Sequence, residues 1–495
     1  MEEKKQEENE IVNKKEKKKQ FIKGILSVIG ASLINFIYPS IFAVNTFIVY
    51  QTSYIKNHGG DVNIDHTIFY YPVELFFQSI FGLIAGIIYT RIEVHWSNTL
   101  GTVLLILGNV ILYISKSLFL DMLSMAVYGI AVAVIMFPAT TNACKYFMKH
   151  IGLVNGIVET FISLGSTVFA FLGEYVINPD EKRSRESDKL YDEEIAERFK
   201  TFVLIQIICH IGSYILSLFL IQKYKEIPFS SKEEEKLLTN DNNLNNSKNN
   251  EIIIKDYKTR KEKMIIVLKS WAFWRYNLIS LSQSPISDMV FAMYRSIGES
   301  KRINQKALQL IGTLTFIIEF ILSFVYGVLC DYVNFKILLF SMNIIGTIVG
   351  FTYCLTFESD FLFSLATLAI SIQSAAYYSL KDYHLMKVFG TDIYVDLSGI
   401  VTFFTGIVVI ILTFITYNVE KTFESEEDEN RKDIAYWIMF VMFGAFNGMG
   451  VILGFFEEDE PFNYDNNNKE KNQNQDTTNN MEIFEKENED KHNSI

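Results

Sequence analysis

Twelve apolar stretches, each close to the length that crosses a bilayer, fall six and six on either side of a polar segment. They run over 21–50, 68–90, 99–116, 120–148, 151–177 and 201–222, then over 271–296, 305–330, 335–357, 361–386, 392–418 and 433–456. A hydrocarbon core of about 30 Å takes about 20 residues of helix, and within it every backbone polar group must be satisfied internally. The chain is therefore expected to be an all-α polytopic membrane protein, with twelve transmembrane helices in two pseudo-symmetric six-helix bundles. Residues 1–20 are expected to form a disordered charged N-terminal tail, 21–222 the first bundle, 223–270 a linker, 271–456 the second bundle and 457–495 a disordered tail. The linker and tails are rich in Asn, Glu and Lys and too poor in apolar side chains to fold alone.

A faint internal repeat supports the division into halves. Gly156-Ile157-Val158 with Phe161 returns as Gly399-Ile400-Val401 with Phe404, 243 residues later. Gly86 and the residues after it correspond to Gly327 and its followers at an offset of 241. Either echo alone would be noise in so apolar a sequence. Their near-equal offsets point to duplicated helical bundles, the construction of many transporters.

Composition excludes several function classes. The net charge of −12 and the confinement of basic residues to tails and loops leave no basic face for nucleic acid. Cys144, Cys209, Cys330 and Cys354 have no paired spacing and read as helix-packing residues, so no metal or redox cofactor is expected. Neither a Gly-x-Ser-x-Gly elbow nor paired helix histidines occur, which argues against an enzyme. Residues 1–20 lack the apolar core of a cleavable signal, so the first membrane helix is expected to direct insertion. Basic clusters at Lys14–Lys19 and Lys255–Lys269 place both termini and the linker in the cytosol, with acid-rich connections on the other side. The sequence does not say whether the membrane is the plasma membrane or that of an organelle.

Two short motifs carry a family resemblance. Gly327-Val328-Leu329-Cys330-Asp331-Tyr332-Val333-Asn334-Phe335-Lys336 resembles the Gly-x-Leu-x-Asp-x-x-Gly-x-Lys loop of the major facilitator superfamily. The first-half copy keeps Gly86 and Arg91 but has Thr90 where the acid would stand. The stretch Phe147 to Gly156, the stretch Phe389-Gly390-Thr391-Asp392 to Gly399, and the pair Phe273-Trp274 are similar to the oxalate/formate antiporter and monocarboxylate transporter branch. The resemblance implies a secondary transporter whose cytosolic gate includes Gly86, Arg91, Gly327, Asp331, Lys336, Gly156 and Gly399. It also implies a small carboxylate as substrate. The residues weaken that implication, because the eighth helix offers Glu319, and Leu397–Tyr417 contains no Lys, Arg or His.

Polar residues inside a span are costly and face a cavity or a partner, so each is a candidate by default. Glu319 and Gln78 each lie eight residues before the repeated glycine, at matching depths about 12 Å from the helix end. Glu319 suits proton binding and release; its plainer reading is a hydrogen-bonded packing residue. Asp288 follows Pro285 on the seventh helix, while Asn35 and Tyr38 precede Pro39 on the first, giving two kinked polar patches. Glu159 reads as a gate acid or a snorkelling end residue. Lys145, Lys149, Lys381, Asp382 and His384 are expected to snorkel, and His210 to pack.

The sequence thus points to a transporter of a small organic solute, a carboxylate by resemblance, working by alternating access as a monomer with proton coupling or exchange. The rival is a membrane nutrient sensor or receptor that keeps the fold without turnover.

Overall fold

The computed structural model describes residues 2–38, 44–63, 66, 69–180, 182, 184–185, 190–224, 259–301, 303–424, 429–457, 460–462 and 464. Pro39, most of the linker and most of the C-terminal tail lie outside them. Fourteen α-helices follow in order among the described residues: α1 (Glu2–Ile37), α2 (Val44–Asn57), α3 (Tyr70–Arg91), α4 (Val94–Ile114), α5 (Leu118–Tyr146), α6 (Ile151–Ile177) and α7 (Glu193–Leu220). The second set is α8 (Arg260–Lys269), α9 (Trp271–Ser300), α10 (Gln305–Tyr332), α11 (Phe335–Thr352), α12 (Asp360–Phe389), α13 (Tyr394–Glu424) and α14 (Glu429–Gly454). Eleven of these helices carry a stretch long and apolar enough to cross a membrane. At 30 residues, α9 has the length for the remaining position and carries Ser280, Ser282 and Gln283 along its buried side.

Packing reproduces the sequence repeat. In the first half α3 lies on α5, α4 on α5 and α7, and α1 on α5, α6 and α7. In the second half the equivalent pairs recur: α10 on α12, α11 on α12 and α14, and α9 on α12, α13 and α14. Between the halves α6 packs on α10 and α3 on α13, again exchanged by the same pseudo-twofold relation. Chain turns at one end, together with α8, form what is called here the α8 face.

Three features differ from the sequence expectation. Helix α1 begins at Glu2, because a run rich in Lys, Glu and Gln is a good helix former that extends the membrane helix toward the N-terminus. The last part of the linker is also helical. Thr259 and Glu262 form a reciprocal capping box, and α8 turns Val267 into the protein. The start of the C-terminal tail is packed: the Phe462 amide donates to the Val388 carbonyl at 2.9 Å, and Glu457 is buried.

Close helix approach depends on glycine where no side chain fits. A Cβ on Gly165 of α6 would sit 1.9 Å from the Phe36 carbonyl oxygen of α1, and one on Gly129 of α5 would sit 2.1 Å from the Glu74 carbonyl oxygen of α3. At the end opposite α8, Asp121 accepts from Gln51 at 2.8 Å and from the Tyr70 hydroxyl at 2.6 Å, tying α2, α3 and α5 together. Replacing Gly165 by Val forces α1 and α6 apart at an expected cost of about 1–3 kcal/mol. The melting midpoint of the detergent-purified variant should fall below that of the parent; an unchanged midpoint contradicts this packing.

Candidate functional site

The two halves meet through two helix pairs whose ends are built differently. On one side Gly327 of α10 faces Gly152 and Gly156 of α6, where a Cβ on Gly156 would lie 2.6 Å from the Gly327 Cα. The Asp331 carboxylate, one turn further along α10, accepts from the Gly152 amide at 3.0 Å and the Leu153 amide at 2.8 Å. It thereby caps the start of α6, where unpaired amides and the helix dipole favour a negative charge. Hydrogen bonds to a charged acceptor contribute about 1.5–3 kcal/mol. Lys336, counted in the gate motif, is exposed, as is Arg91 at the equivalent turn.

On the other side strict symmetry would set Gly399 of α13 against Gly86 of α3. Instead Gly399 packs on Gly82, one turn away, because Asp396 occupies the space over Gly86. A Cβ on Gly86 would fall 1.7 Å from Asp396 Oδ1. Arg260 of α8 donates to Asp396 Oδ2 through Nε at 3.0 Å and to the Gly86 carbonyl at 3.3 Å. One guanidinium so joins both halves, and Lys263 adds an ion pair to Asp392 at 2.7 Å. The acid missing at Thr90, whose side chain lies outside the described residues, has its counterpart on the opposite helix.

Inside these contacts lies a buried charged cluster. Glu159 of α6 is 5% exposed, Lys381 of α12 5% and Asp382 2%. Each of Glu159 and Lys381 is eight residues from its helix end on the α8 face, about 12 Å in. Lys381 Nζ stands 3.6 Å from Asp382 Oδ1, too long for a hydrogen bond. It lies over the rings of Phe137, Tyr377 and Tyr378 at 5.9, 5.8 and 5.7 Å. Glu159 is within electrostatic reach of Lys381 and Asp382, and the Tyr38 hydroxyl is within reach of Glu159, Asp382 and Glu74. Asn155, one turn from Glu159, donates to the Ser379 carbonyl at 3.3 Å, while the Ser379 hydroxyl donates to the Ser323 carbonyl of α10 at 3.2 Å. These bonds knit α6, α10 and α12 at the cluster's edge.

The structure thus brings Glu159 and Tyr38 together and adds Lys381 and Asp382, which the sequence reading sent to the surface. The signal was present as a Lys-Asp pair following Tyr377 and Tyr378, but it lies two turns inside a helix that runs on to Phe389. His384, also expected to snorkel, is fully buried between the rings of Tyr276 and Phe335, at 4.2 and 4.3 Å. Its Nε2 meets Glu457 at 3.1 Å, and Glu457 pairs with Arg275 at 2.8 Å. His210 packs as expected, with Nδ1 3.1 Å from the Asn109 amide nitrogen.

The remaining candidates lie on α1, α3, α9 and α10. Asn35 donates to the Ala31 carbonyl at 2.9 Å and to Thr140 at 3.4 Å, inside the first half. Gln78 is buried on α3; Glu319 is partly exposed on α10, one turn beyond Ser323. The side chains of Asp288 and Pro285 lie outside the described residues. At the face opposite α8, His58, Glu193 and Glu197 place ligand-type atoms within 4.8 Å of one another, a grouping no sequence motif announces; both glutamates are exposed.

No family model matches the chain, and no curated protein matches it. Solved structures do. The proton:xylose symporter XylE of the major facilitator superfamily, bound to 6-bromo-6-deoxy-D-glucose, superposes with a TM-score of 0.60 at 12% identity, over 88% of this chain and 94% of that one. FucP, a major facilitator superfamily transporter in the outward conformation, gives 0.59 at 13% identity, over 88% and 99%. The chain therefore has the twelve-helix major facilitator fold.

Asp331→Ala removes the cap on α6. Amide hydrogen exchange at Gly152 and Leu153 should rise by about tenfold, the equivalent of a lost charged hydrogen bond. Exchange that stays at the parent rate contradicts the cap.

Proposed function

We propose that the chain is a secondary active transporter of the major facilitator superfamily that moves a small organic solute across a membrane by alternating access. One observation carries this reading: ionisable side chains from both halves are buried against one another directly inside contacts that are closed by glycine pairs and a single bridging arginine. Burying each ion costs several kcal/mol, so such groups persist within a membrane where they serve a substrate or ion path. Separation of α6 from α10 and of α3 from α13 would open the cluster to the α8 face. Rocking about the cluster then gives access from each side in turn.

The basic residues flanking α1 and within α8 support a cytosolic α8 face. In that orientation the described state is closed to the cytosol. Membership in the oxalate/formate and monocarboxylate branch rests on the junction motifs alone, and Lys381 supplies the buried cation that the resemblance calls for and that Ala307–Tyr332 and Leu397–Tyr417 lack. Coupling to protons is assigned to Glu159, which is buried beside Lys381 and Asp382, in preference to the partly exposed Glu319. No enzymatic step is assigned, and the protomer contains both halves of the path, so a monomer suffices. The extra lock formed by Arg260 favours one alternative, a sensor held in a single state.

The test is uptake into proteoliposomes with an imposed pH gradient, using a mixture of radiolabelled monocarboxylates, amino acids and nucleosides. Glu159→Gln should lower gradient-driven uptake at least tenfold while leaving solute exchange in place, and Glu319→Gln should lower it less. Gradient-driven uptake that survives Glu159→Gln undiminished removes the coupling role, and binding without flux in the parent favours the sensor.

A further inference from the structure

Buried polar atoms in the cluster lack partners at hydrogen-bond length, and they are of one kind. Asp382 Oδ1 and Asn155 Oδ1 have no hydrogen-bond partner at ordinary length among the described residues, although Asp382 is 2% exposed and Asn155 fully buried; the Tyr394 hydroxyl lies near Asp382 without meeting it at that length. A carboxylate or amide oxygen can only accept, and a phenol can do either. Asp382 and Asn155 therefore offer acceptor oxygens that no described donor meets at hydrogen-bond length. An unsatisfied buried acceptor costs about 1–3 kcal/mol, and more when it is charged.

The one cation present does not make up the deficit. Lys381 is held by ring faces and by a loose approach to Asp382, which leaves its ammonium hydrogens directed at no close acceptor. With Glu159 and Asp382 ionised the group carries one net negative charge, yet it also offers a positive end. A bare monocarboxylate would satisfy Lys381 and add further acceptors beside Asn155 and Asp382. A simple amine would supply donors and leave Lys381 unmatched, and a neutral polyol would match neither charge. An ammonium and a carboxylate on one small molecule match both.

We infer that the cluster is a binding site for a small zwitterion of the α-amino acid class, its carboxylate received by Lys381 and its ammonium by Asp382 and Asn155. The Phe137, Tyr377 and Tyr378 rings keep Lys381 out of a tight ion pair with Asp382, so its charge stays available. The Tyr394 hydroxyl is positioned to serve Asp382 or the ligand. The inference rests on the transport reading of this same site, since it takes the cluster to be reached by solute when the halves separate.

The experiment uses the full chain, purified and reconstituted, and takes two measurements. Thermal stabilisation in detergent and uptake into proteoliposomes are each read with a mixture of common α-amino acids, with the matching 2-hydroxy acids, with the matching decarboxylated amines and with a hexose. The amino acids are expected to stabilise the protein and to be taken up, while the hydroxy acids and amines compete at least tenfold more weakly, as befits losing one charged contact. Lys381→Gln should abolish the preference for amino acid over amine, and Asp382→Asn the preference for amino acid over hydroxy acid. Because the analogue series is run on the unaltered protein, it decides the matter even if a variant fails to fold. Uptake of hydroxy acids, amines or hexose in preference to amino acids overturns the zwitterion assignment and leaves the transport reading standing. Stabilisation by amino acids without uptake does the reverse. Neither stabilisation nor uptake by amino acids overturns the assignment outright.

Discussion

Charge held out of water between two apolar bundles is the constraint around which the rest of this structure is arranged. Lys381, Asp382 and Glu159 sit about 12 Å from the helix ends of the α8 face, where a lone ion would cost several kcal/mol. Three aromatic faces reduce that cost for Lys381, each by about 2 kcal/mol at best. They do not cancel it, and they give nothing to the two carboxylates. The arrangement is stable only because closely packed helices shield it, and that shielding depends on glycines at which the α6–α10 and α3–α13 backbones nearly touch.

The two shields are related by pseudo-symmetry and yet are not copies. On the α6–α10 side an acid on the end of one helix caps the start of the other, a contact entirely between membrane helices. On the α3–α13 side the acid has moved to the first turn of α13, the glycine contact has slipped by a turn, and an arginine from the linker helix completes it. The first contact has to break whenever the bundles part. The second also includes α8, so it joins three elements instead of two.

Much of this was legible in the sequence. Apolar runs gave the helices, and two weak echoes placed Gly156, Gly327, Gly86 and Gly399 at helix ends where the structure has the halves in contact. The cluster was legible only in part. Glu159 and Tyr38 stand out in the sequence, whereas Lys381, Asp382 and His384 read as surface residues from their nearness to the end of an apolar run. The run ends early because α12 continues past its apolar part to Phe389, and because Glu457, Phe462 and Tyr464 fold back over that end. Burial there is produced by residues distant in sequence, with no local periodicity to announce it. Gln78 is buried and Glu319 partly exposed, while the charge that the halves share lies elsewhere.

The central claim, that the charged cluster sits behind a contact that opens, is tested most directly by the distance between spin labels on Lys149 and Lys336, two exposed positions on opposite halves of the α8 face. In a background with the native cysteines replaced, the parent should give one short distance. Removing both the Asp331 cap and the Arg260 bridge should add a second, longer population. A single unchanged distance in both proteins would contradict the account, because the halves would then be held together by something other than these contacts.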